Sequence, residues 1–265
     1  MTTTVTSADG TRIAYERTGE GPPLIIVDGA MCYRGQGPSG PLAGELAAAF
    51  TVYTYDRRGR GESGESAEIA LEREVEDLAA VAKEAGGTPY LFGASSGGML
   101  ALEAANRGVG AAKIAMYEPP LVVDDTHRPL PADWVPRLAA NVTQGRNGDA
   151  VKDFMRFVDV PAFGIAIMRL LPVWSKLKAV APTLRYDFAF MADLQRGRPL
   201  PAARWSAATM PVLVADGGKS PAWMRTGCRS LSEVLPNATY RTVPGQTHLV
   251  KAKALAPVLR EFYQA

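Results

Sequence analysis

The sequence has few of the residues that form disulfides or bind metals. It contains two cysteines and two histidines among 265 residues. Cys32 and Cys228 lie far apart, and neither belongs to a spacing typical of a disulfide framework, a metal site or a redox pair. We therefore expect two buried thiols in a reducing compartment.

The sequence also lacks long hydrophobic runs and an excess of either positive or negative charge. The 29 basic residues nearly balance the 27 acidic ones, for a formal net charge of +2. No basic run or stripe occurs, which argues against nucleic acid or an anionic membrane as a partner. The start of the chain, Met1 to Val5, lacks a basic segment followed by an apolar run, and no later run is long enough to cross a bilayer. The sequence predicts a cytoplasmic protein and gives no indication of its oligomeric state.

What the sequence does have is a regular alternation of strand-like and helix-like segments. Apolar runs predict strands over residues 2–6, 12–17, 24–27, 51–55, 89–92, 113–117, 212–215 and 239–243. Apolar periodicity predicts helices over residues 41–49, 68–85, 96–107, 221–235 and 251–263. Asp9-Gly10 marks a hairpin between the first two strands, but the later connections are too long for hairpins. The pattern predicts an α/β fold, a mostly parallel sheet of about eight strands wrapped by helices.

The alternation stops between residues 121 and 208. That stretch is rich in proline and large apolar residues, and we interpret it as several short helices forming a cap inserted after the sixth strand. The predicted organisation is a first core part over residues 1–120, the cap over 121–208 and a second core part over 209–265. Most of the large apolar side chains should pack the cap onto the core. The predicted contacts to an apolar small-molecule substrate are Met31, Trp174 and Phe163.

The segment Gly93-Ala94-Ser95-Ser96-Gly97 joins a predicted strand to a predicted helix. The spacing Gly-x-Ser-x-Gly is that of a nucleophile elbow, a sharp turn that exposes a serine hydroxyl at the carboxyl end of a parallel sheet. Glycines are expected on either side because a side chain there would collide with the neighbouring strand or helix. A glycine-rich turn without chemistry is the alternative interpretation of this segment.

A serine hydroxyl becomes an effective nucleophile when a neighbouring base accepts its proton. The two histidines are the candidates for that base. His248 follows the last predicted strand, at the same edge of the sheet as Ser95, and is the predicted base. His127 lies at the start of the cap, where we expect a surface or structural role, with substrate contact as the lesser alternative.

Several motifs in this order make the chain resemble the α/β-hydrolases over nearly its whole length. Gly93 to Gly98 resembles the nucleophile elbow of that family, and Gly245 to His248 resembles its histidine loop. Asp56 to Ser63 resembles the family's Asp-x-Arg-Gly-x-Gly-x-Ser loop, which braces the turn structurally. Tyr117-Glu118-Pro119-Pro120 and Gly217 to Pro221 are similar to a bacterial subgroup with a serine nucleophile and an all-helical cap. The resemblance implies the α/β-hydrolase fold, with the insertion at the position of the family's cap.

The resemblance also implies an oxyanion hole, with one departure from the family pattern. In many members the third strand ends in His-Gly, and the residue after that glycine and the residue after the nucleophile each give a backbone amide. Here these residues are Ala30 and Ser96, and Asp28 stands in place of the histidine. A backbone donor does not depend on its own side chain, so both amides are expected to serve. A carboxylate in the hole would oppose negative charge, so we expect Asp28 to turn away or to be hydrogen-bonded.

The acid that would orient the histidine departs from the pattern as well. The usual aspartate position falls on Ser220, whose hydroxyl can orient an imidazole but cannot offset its charge. Glu118, after the sixth strand, and Asp216, at the end of the seventh, are the alternative acids. Some relatives, notably haloalkane dehalogenases, carry a glutamate after the sixth strand, which favours Glu118. A serine and histidine dyad without an acid is the third possibility.

Together these features predict a carboxylesterase-like serine hydrolase. It would cleave a small or medium apolar carboxylic ester, lactone or thioester through an acyl-enzyme. No metal or organic cofactor is predicted, because no ligand cluster or phosphate-binding glycine loop occurs. Two alternatives stay open: a non-hydrolytic enzyme on the same fold, such as a perhydrolase or a biosynthetic cyclase, and a ligand-binding protein without turnover.

Overall fold

The computed structural model describes residues 3–265. Eight strands within this range form one sheet. The strands are β1 Thr3–Thr6, β2 Arg12–Thr18, β3 Pro23–Val27, β4 Thr51–Tyr55, β5 Tyr90–Ala94, β6 Ile114–Tyr117, β7 Val212–Gly217 and β8 Ala238–Val243. Their order is β1-β2-β4-β3-β5-β6-β7-β8, with β2 antiparallel to both of its neighbours and the other pairs parallel. The predicted mostly parallel sheet is confirmed. Thr2, the first residue of the first predicted strand, lies outside the described residues.

The five helices predicted from apolar periodicity occur with small differences at their ends, and within residues 3–265 five more lie between β6 and β7. In chain order they are α1 Ser39–Leu46, α2 Leu71–Glu84, α3 Ser96–Asn106, α4 Trp134–Thr143, α5 Asn147–Phe157, α6 Ala162–Met168, α7 Val173–Val180, α8 Leu184–Met191, α9 Ala222–Val234 and α10 Ala252–Gln264. Short 3-10 helices, Ala181–Thr183 and Ala192–Gln195, flank α8. The helix predicted over 68–85 begins at Leu71 because Ala70 is extended, with φ −143° and ψ 149°. Within residues 3–265, no helix is long and apolar enough to cross a membrane.

Helices cover both faces of the sheet, and the strands are apolar on both sides for that reason. In β3, Ile25 and Val27 pack with side chains of α2, α3 and α9 on one face. Leu24 and Ile26 pack with α1 and α10 on the other face. Burial of each such side chain contributes roughly 1.5–3 kcal/mol to stability. An unbroken apolar run is therefore what a central strand of this sheet requires.

The stretch between β6 and β7 that comprises residues 121–208, called the inserted segment below, contains α4 to α8. Its helices enclose an apolar cluster of their own, which includes Trp134, Phe157 and Phe188. Met31, from the loop after β3, is buried in the same cluster. The inserted segment therefore packs against the loop that leaves the centre of the sheet. Its boundaries as a separate cap domain stay a prediction.

The register of the parallel strands brings four chain positions to one edge of the sheet. Val27 pairs with Gly93, Ala94 with Tyr117, and Tyr117 in turn with Ala215. The residues that follow these pairs are Asp28, Ser95, Glu118 and Asp216. Because the carboxyl ends of neighbouring parallel strands lie together, this edge is where a binding crevice forms in such sheets.

Candidate active site

Ser95 lies in the sharp turn between β5 and α3. Its φ of 55° and ψ of −130° are unusual for a residue with a side chain. Its N–H donates a 2.8 Å hydrogen bond to the carbonyl of Tyr117 on the neighbouring strand. A Cβ at Gly93 would lie 2.4 Å from the carbonyl oxygen of Gly97, and one at Gly97 would lie 2.2 Å from that of Val27. The elbow geometry thus requires glycine on both sides of the serine.

His248 contacts a buried carboxylate across the sheet edge. Its Nδ1 lies 2.9 Å from Oε2 of Glu118, while Oε1 of Glu118 accepts a 2.7 Å hydrogen bond from the N–H of Gly217. Glu118 is fully buried, whereas the His248 side chain is 40% exposed. A neutral imidazole that donates its Nδ1–H to the carboxylate keeps Nε2 as a proton acceptor. The structure therefore brings together two residues that the sequence proposed as base and acid.

The other candidate acid lies apart from the imidazole. Asp216 is buried and accepts a hydrogen bond from the Tyr240 hydroxyl. Its second oxygen, Oδ1, has no hydrogen-bond partner within residues 3–265. Ser220, at the position where the family usually has its aspartate, is also buried, and its hydroxyl is likewise unpartnered in the described part of the chain. Of the three side chains considered for this role, Glu118 is the one that contacts His248.

The loop after β3 lies directly against Ser95. A Cβ built on Gly29 would be 2.9 Å from Cβ and 3.6 Å from Oγ of Ser95. Neither the N–H of Ala30, next in the loop, nor that of Ser96 has a hydrogen-bond acceptor among residues 3–265. Two unpaired backbone donors beside a serine side chain are the ingredients of an oxyanion hole.

Asp28, which replaces the family's usual histidine, is the first residue of this loop and is buried. Its Oδ1 has no hydrogen-bond partner among the described residues. Burial raises the pKa of Asp28 to about 6, against opposing effects of the Ser39 hydroxyl and of the Arg60 and Arg57 guanidinium groups. A carboxyl with a raised pKa is partly neutral near pH 6, which lessens its repulsion of a nearby negative charge.

A buried ionic cluster lies behind the loop and the elbow, and the sequence did not predict it. Asp187 of α8 accepts hydrogen bonds from the Ser96 hydroxyl at 2.7 Å, from Arg57 at 2.8 Å and from Arg60 at 2.6 Å. Arg57 also makes a bidentate contact to Glu74 of α2, with both distances 2.7 Å. Burial alone would raise the pKa of Asp187, but the two guanidinium groups outweigh it and hold that pKa below its usual value. The sequence contains one indication of this cluster, because Asp187 is the only carboxylate in the largely apolar helix α8.

Comparison with known proteins identifies the family to which this architecture belongs. The sequence model of the alpha/beta hydrolase family matches residues 28–256. The chain belongs to the alpha/beta hydrolase family. This membership supports a hydrolase and agrees with the resemblance carried by the elbow and histidine loops.

Solved structures of other alpha/beta hydrolases superpose on nearly the whole chain. An alpha/beta hydrolase from Sphaerobacter thermophilus is 48% identical, with a TM-score of 0.91 over 98% of this chain and 100% of that one. A thermophilic esterase from Thermogutta terrifontis is 21% identical, with a TM-score of 0.69 over 100% and 98%. An enol-lactonase from Burkholderia xenovorans is 20% identical, with a TM-score of 0.71 over 99% and 100%. The latter two similarities show the shared fold.

The three predicted substrate contacts of this alpha/beta hydrolase lie in different surroundings. Met31, in the loop after β3, is buried against the helices of the inserted segment. Trp174 of α7 is partly buried on the same apolar cluster. Phe163 of α6 is 71% exposed, so the structure does not bring it together with the other two.

His127 lies in a separate cluster within this hydrolase. Its Nε2 is 2.9 Å from Oδ2 of Asp159, and its ring lies over that of Trp223 with centroids 4.3 Å apart. Phe157 approaches the edge of the ring at 5.9 Å. These contacts tie the inserted segment to the start of α9, which agrees with the expected structural role.

The two cysteines are separate thiols. Cys228 is buried and Cys32 is partly buried. Burial raises the pKa of the Cys32 thiol to about 12 and that of Cys228 well above its usual value. Both side chains are therefore protonated near neutral pH, and a thiol in that form is a weak nucleophile.

Proposed function

We propose that this protein is a serine hydrolase that cleaves a small or medium apolar carboxylic ester, lactone or thioester through an acyl-enzyme. The observation that carries the proposal is the 2.9 Å contact between His248 and the buried Glu118, which directly follows Tyr117, the residue whose carbonyl accepts a hydrogen bond from the N–H of Ser95 in its strained elbow. A histidine with a buried acid on Nδ1 and a serine held at a sheet edge are the parts of a nucleophilic triad.

In the first half of the reaction, Oγ of Ser95 attacks the substrate carbonyl carbon while His248 takes the hydroxyl proton on Nε2. The carbonyl electron pair moves onto oxygen, where the N–H groups of Ala30 and Ser96 stabilise the negative charge. The intermediate then collapses, the bond to the leaving group breaks, and His248 gives its proton to that group. Ser95 is left as an ester of the acyl group.

In the second half, His248 accepts a proton from water as the water oxygen attacks the acyl carbon. The tetrahedral intermediate expels Oγ of Ser95, which takes the proton back, and the carboxylic acid leaves. Glu118 supports both halves in two ways. Its contact to Nδ1 fixes the tautomer of His248, and its negative charge stabilises the imidazolium that forms twice in each cycle.

The proposed substrate class follows from the apolar surroundings of the site. We infer that the inserted segment acts as a cap, with Met31 and Trp174 contacting the acyl or alcohol part of the substrate and Phe163 at the outer side of the cap. Burial of an apolar substrate group of a few carbons contributes roughly 0.8 kcal/mol per methylene. Esters with short or medium apolar groups are therefore expected to bind better than charged ones.

The test of this proposal is detection of the acyl-enzyme itself. Mixing the protein with p-nitrophenyl butyrate should release a burst of p-nitrophenol, and intact-mass spectrometry should show one added butyryl group per chain. Both signals should vanish in Ser95→Ala and persist in Ser232→Ala, which changes a serine on α9. Binding of the ester without release of p-nitrophenol would contradict a hydrolase and support the ligand-binding alternative.

A further inference from the structure

The buried ionic cluster contacts the peptide that carries one candidate oxyanion-hole donor and the side chain of the residue that carries the other. We propose that Arg60 and Asp187 are positioning residues that hold the N–H groups of Ala30 and Ser96 in the geometry required to stabilise the oxyanion. This inference rests on the proposed function, because it assigns a role relative to the same oxyanion hole.

The first donor is held through its own peptide group. Arg60 donates a 2.6 Å hydrogen bond from Nη1 to the carbonyl oxygen of Gly29. That carbonyl and the N–H of Ala30 belong to one planar peptide, so fixing the oxygen fixes the direction of the N–H. A cationic donor on the carbonyl also polarises the peptide and strengthens its N–H as a donor. Arg60 reaches the carbonyl of Cys32 as well, at 3.1 Å, which restrains the loop on the far side of Ala30.

The second donor is held through a side chain. The hydroxyl of Ser96 donates a 2.7 Å hydrogen bond to Oδ1 of Asp187, while Arg60 donates to Oδ2 of the same carboxylate at 2.6 Å. One ion pair therefore connects the residue that carries the second N–H to the guanidinium that holds the first. The relative position of the two donors depends on this pair.

The charge and burial of Arg60 and Asp187 favour a positioning role for them over that of an ordinary surface ion pair. Arg60, Asp187 and Ser96 are all buried, so solvent screens their interactions weakly. Arg57, paired with Glu74 on its other side, also contacts Asp187, which completes the neutralisation of that carboxylate. A carboxylate close to an oxyanion would otherwise oppose catalysis. Asp187 comes from α8, so the inserted segment takes part in building a site whose other residues follow the carboxyl ends of strands.

The same loop provides a matched control. Arg58 is as buried as Arg60 and makes a bidentate contact to Asp77 at 2.7 and 2.6 Å. Its other partners are Asp9, Ser66 and the carbonyl of Arg73, none of which belongs to the oxyanion loop. Substitution of Arg58 thus removes an arginine that is as buried and as extensively hydrogen-bonded as Arg60, but leaves the hydrogen bond from Arg60 to the carbonyl of Gly29 in place.

The experiment compares Arg60→Lys, Arg60→Met, Asp187→Asn and Ser96→Ala with Arg58→Lys. For each, kcat and KM are measured with p-nitrophenyl butyrate, and the inhibition constant is measured with 2,2,2-trifluoroacetophenone. In the adduct of this ketone, Oγ of Ser95 bonds to the ketone carbon, the carbonyl pair moves onto oxygen, and the serine proton passes to His248. The ketone therefore reports on the oxyanion itself.

For the Arg60 and Asp187 variants we expect kcat to fall about tenfold or more with KM within about threefold, since loss of one oxyanion donor costs about 10²–10³ in kcat. The inhibition constant of the ketone should rise by the factor by which kcat/KM falls. Arg60→Lys, which keeps a cation, should lose less than Arg60→Met. Ser96→Ala removes one hydroxyl alone and keeps the proposal testable if the charge variants do not fold. Arg58→Lys should lower thermal stability while kcat stays within about twofold.

Three outcomes separate this inference from the function on which it rests. If the wild type hydrolyses the ester through Ser95 and the Arg60 and Asp187 variants behave like Arg58→Lys, the positioning role is wrong and the hydrolase stands. If KM rises while kcat and ketone inhibition do not change, the cluster binds substrate instead and the inference is also wrong. If the Ser95→Ala variant hydrolyses the ester as fast as the wild type, the proposed function is wrong, and the inference that rests on it is wrong as well.

Discussion

Oε2 of Glu118 lies 2.9 Å from Nδ1 of His248, although the two residues are 130 positions apart in the chain. The parallel pairing of β6 with β7, in which Tyr117 lies opposite Ala215, puts Glu118 next to Asp216 at the same sheet edge. The loop after β8 then brings the imidazole to the end of β6, where the Tyr117 hydroxyl donates a 2.7 Å hydrogen bond to the carbonyl of Thr247. The acid that contacts the histidine therefore follows the sixth strand.

This contact predicts that the two acids differ in their effect on catalysis. Glu118→Gln should lower kcat by at least about tenfold, which corresponds to roughly 1.4 kcal/mol in the barrier, because an amide cannot offset the imidazolium charge. Steady-state hydrolysis of p-nitrophenyl butyrate measures this effect.

Asp216→Asn is the matched control, because Asp216 is an equally buried carboxylate one strand away that contacts Tyr240. Its kcat should stay within about threefold of wild type. A larger loss in Asp216→Asn than in Glu118→Gln would show that the acid is assigned to the wrong strand.

Asp28 predicts a specific pH dependence of stability. Its folded pKa of about 6 lies above the ordinary value of 3.8, so the folded state binds more protons than the unfolded state between these values. The contribution of this group to stability is therefore fully present below about pH 3.8 and is lost as the pH rises through about 6. The loss amounts to roughly 3 kcal/mol, since one pKa unit corresponds to about 1.4 kcal/mol.

Asp28→Asn removes this titration. Urea unfolding of the variant and the wild type at pH 4 and at pH 8 isolates it, because all other groups cancel in the comparison. The free energy of unfolding of the variant relative to wild type should rise between the two pH values by up to roughly 3 kcal/mol. A relative stability that is the same at both pH values would mean that Asp28 does not titrate in this range.

The close backbone packing at the elbow predicts opposite effects on stability for two glycine substitutions. Gly97→Ala should destabilise the protein by more than about 2 kcal/mol, because its Cβ would lie 2.2 Å from the carbonyl oxygen of Val27. Gly44→Ala, at an exposed position of α1 with nothing within 4 Å of its Cβ, should instead stabilise it by about 1 kcal/mol. Equal thermal midpoints for the two variants would contradict the close approach of α3 to β3.

Much of the fold follows from local pattern. The apolar run of β3, residues 24–27, and the glycines around Ser95 each express a constraint that short stretches of sequence carry, namely burial on both faces and close backbone approach. Strand and helix types were therefore predictable. Exact ends were not, because the start of α2 depends on the backbone conformation of Ala70 and not on apolar spacing.

The candidate site was predictable where motifs carry it and not where distant side chains meet. Glu118 could be proposed from its place after a strand, but the choice between it and Asp216 depends on where the loop of His248 lies. The contact of Ser96 with Asp187 spans 91 positions, and no spacing in the sequence relates a helix of the inserted segment to the elbow. Such contacts depend on tertiary packing, which periodicity does not encode.

Labelling with a fluorophosphonate shows directly whether Ser95 is an activated nucleophile, because the serine oxygen displaces fluoride from phosphorus. Intact-mass spectrometry should show one adduct per wild-type chain, none in Ser95→Ala, and strongly slowed labelling in His248→Ala. A wild-type protein that stays unlabelled, or a Ser95→Ala variant that is labelled as fast as wild type, would show that Ser95 is not an activated nucleophile.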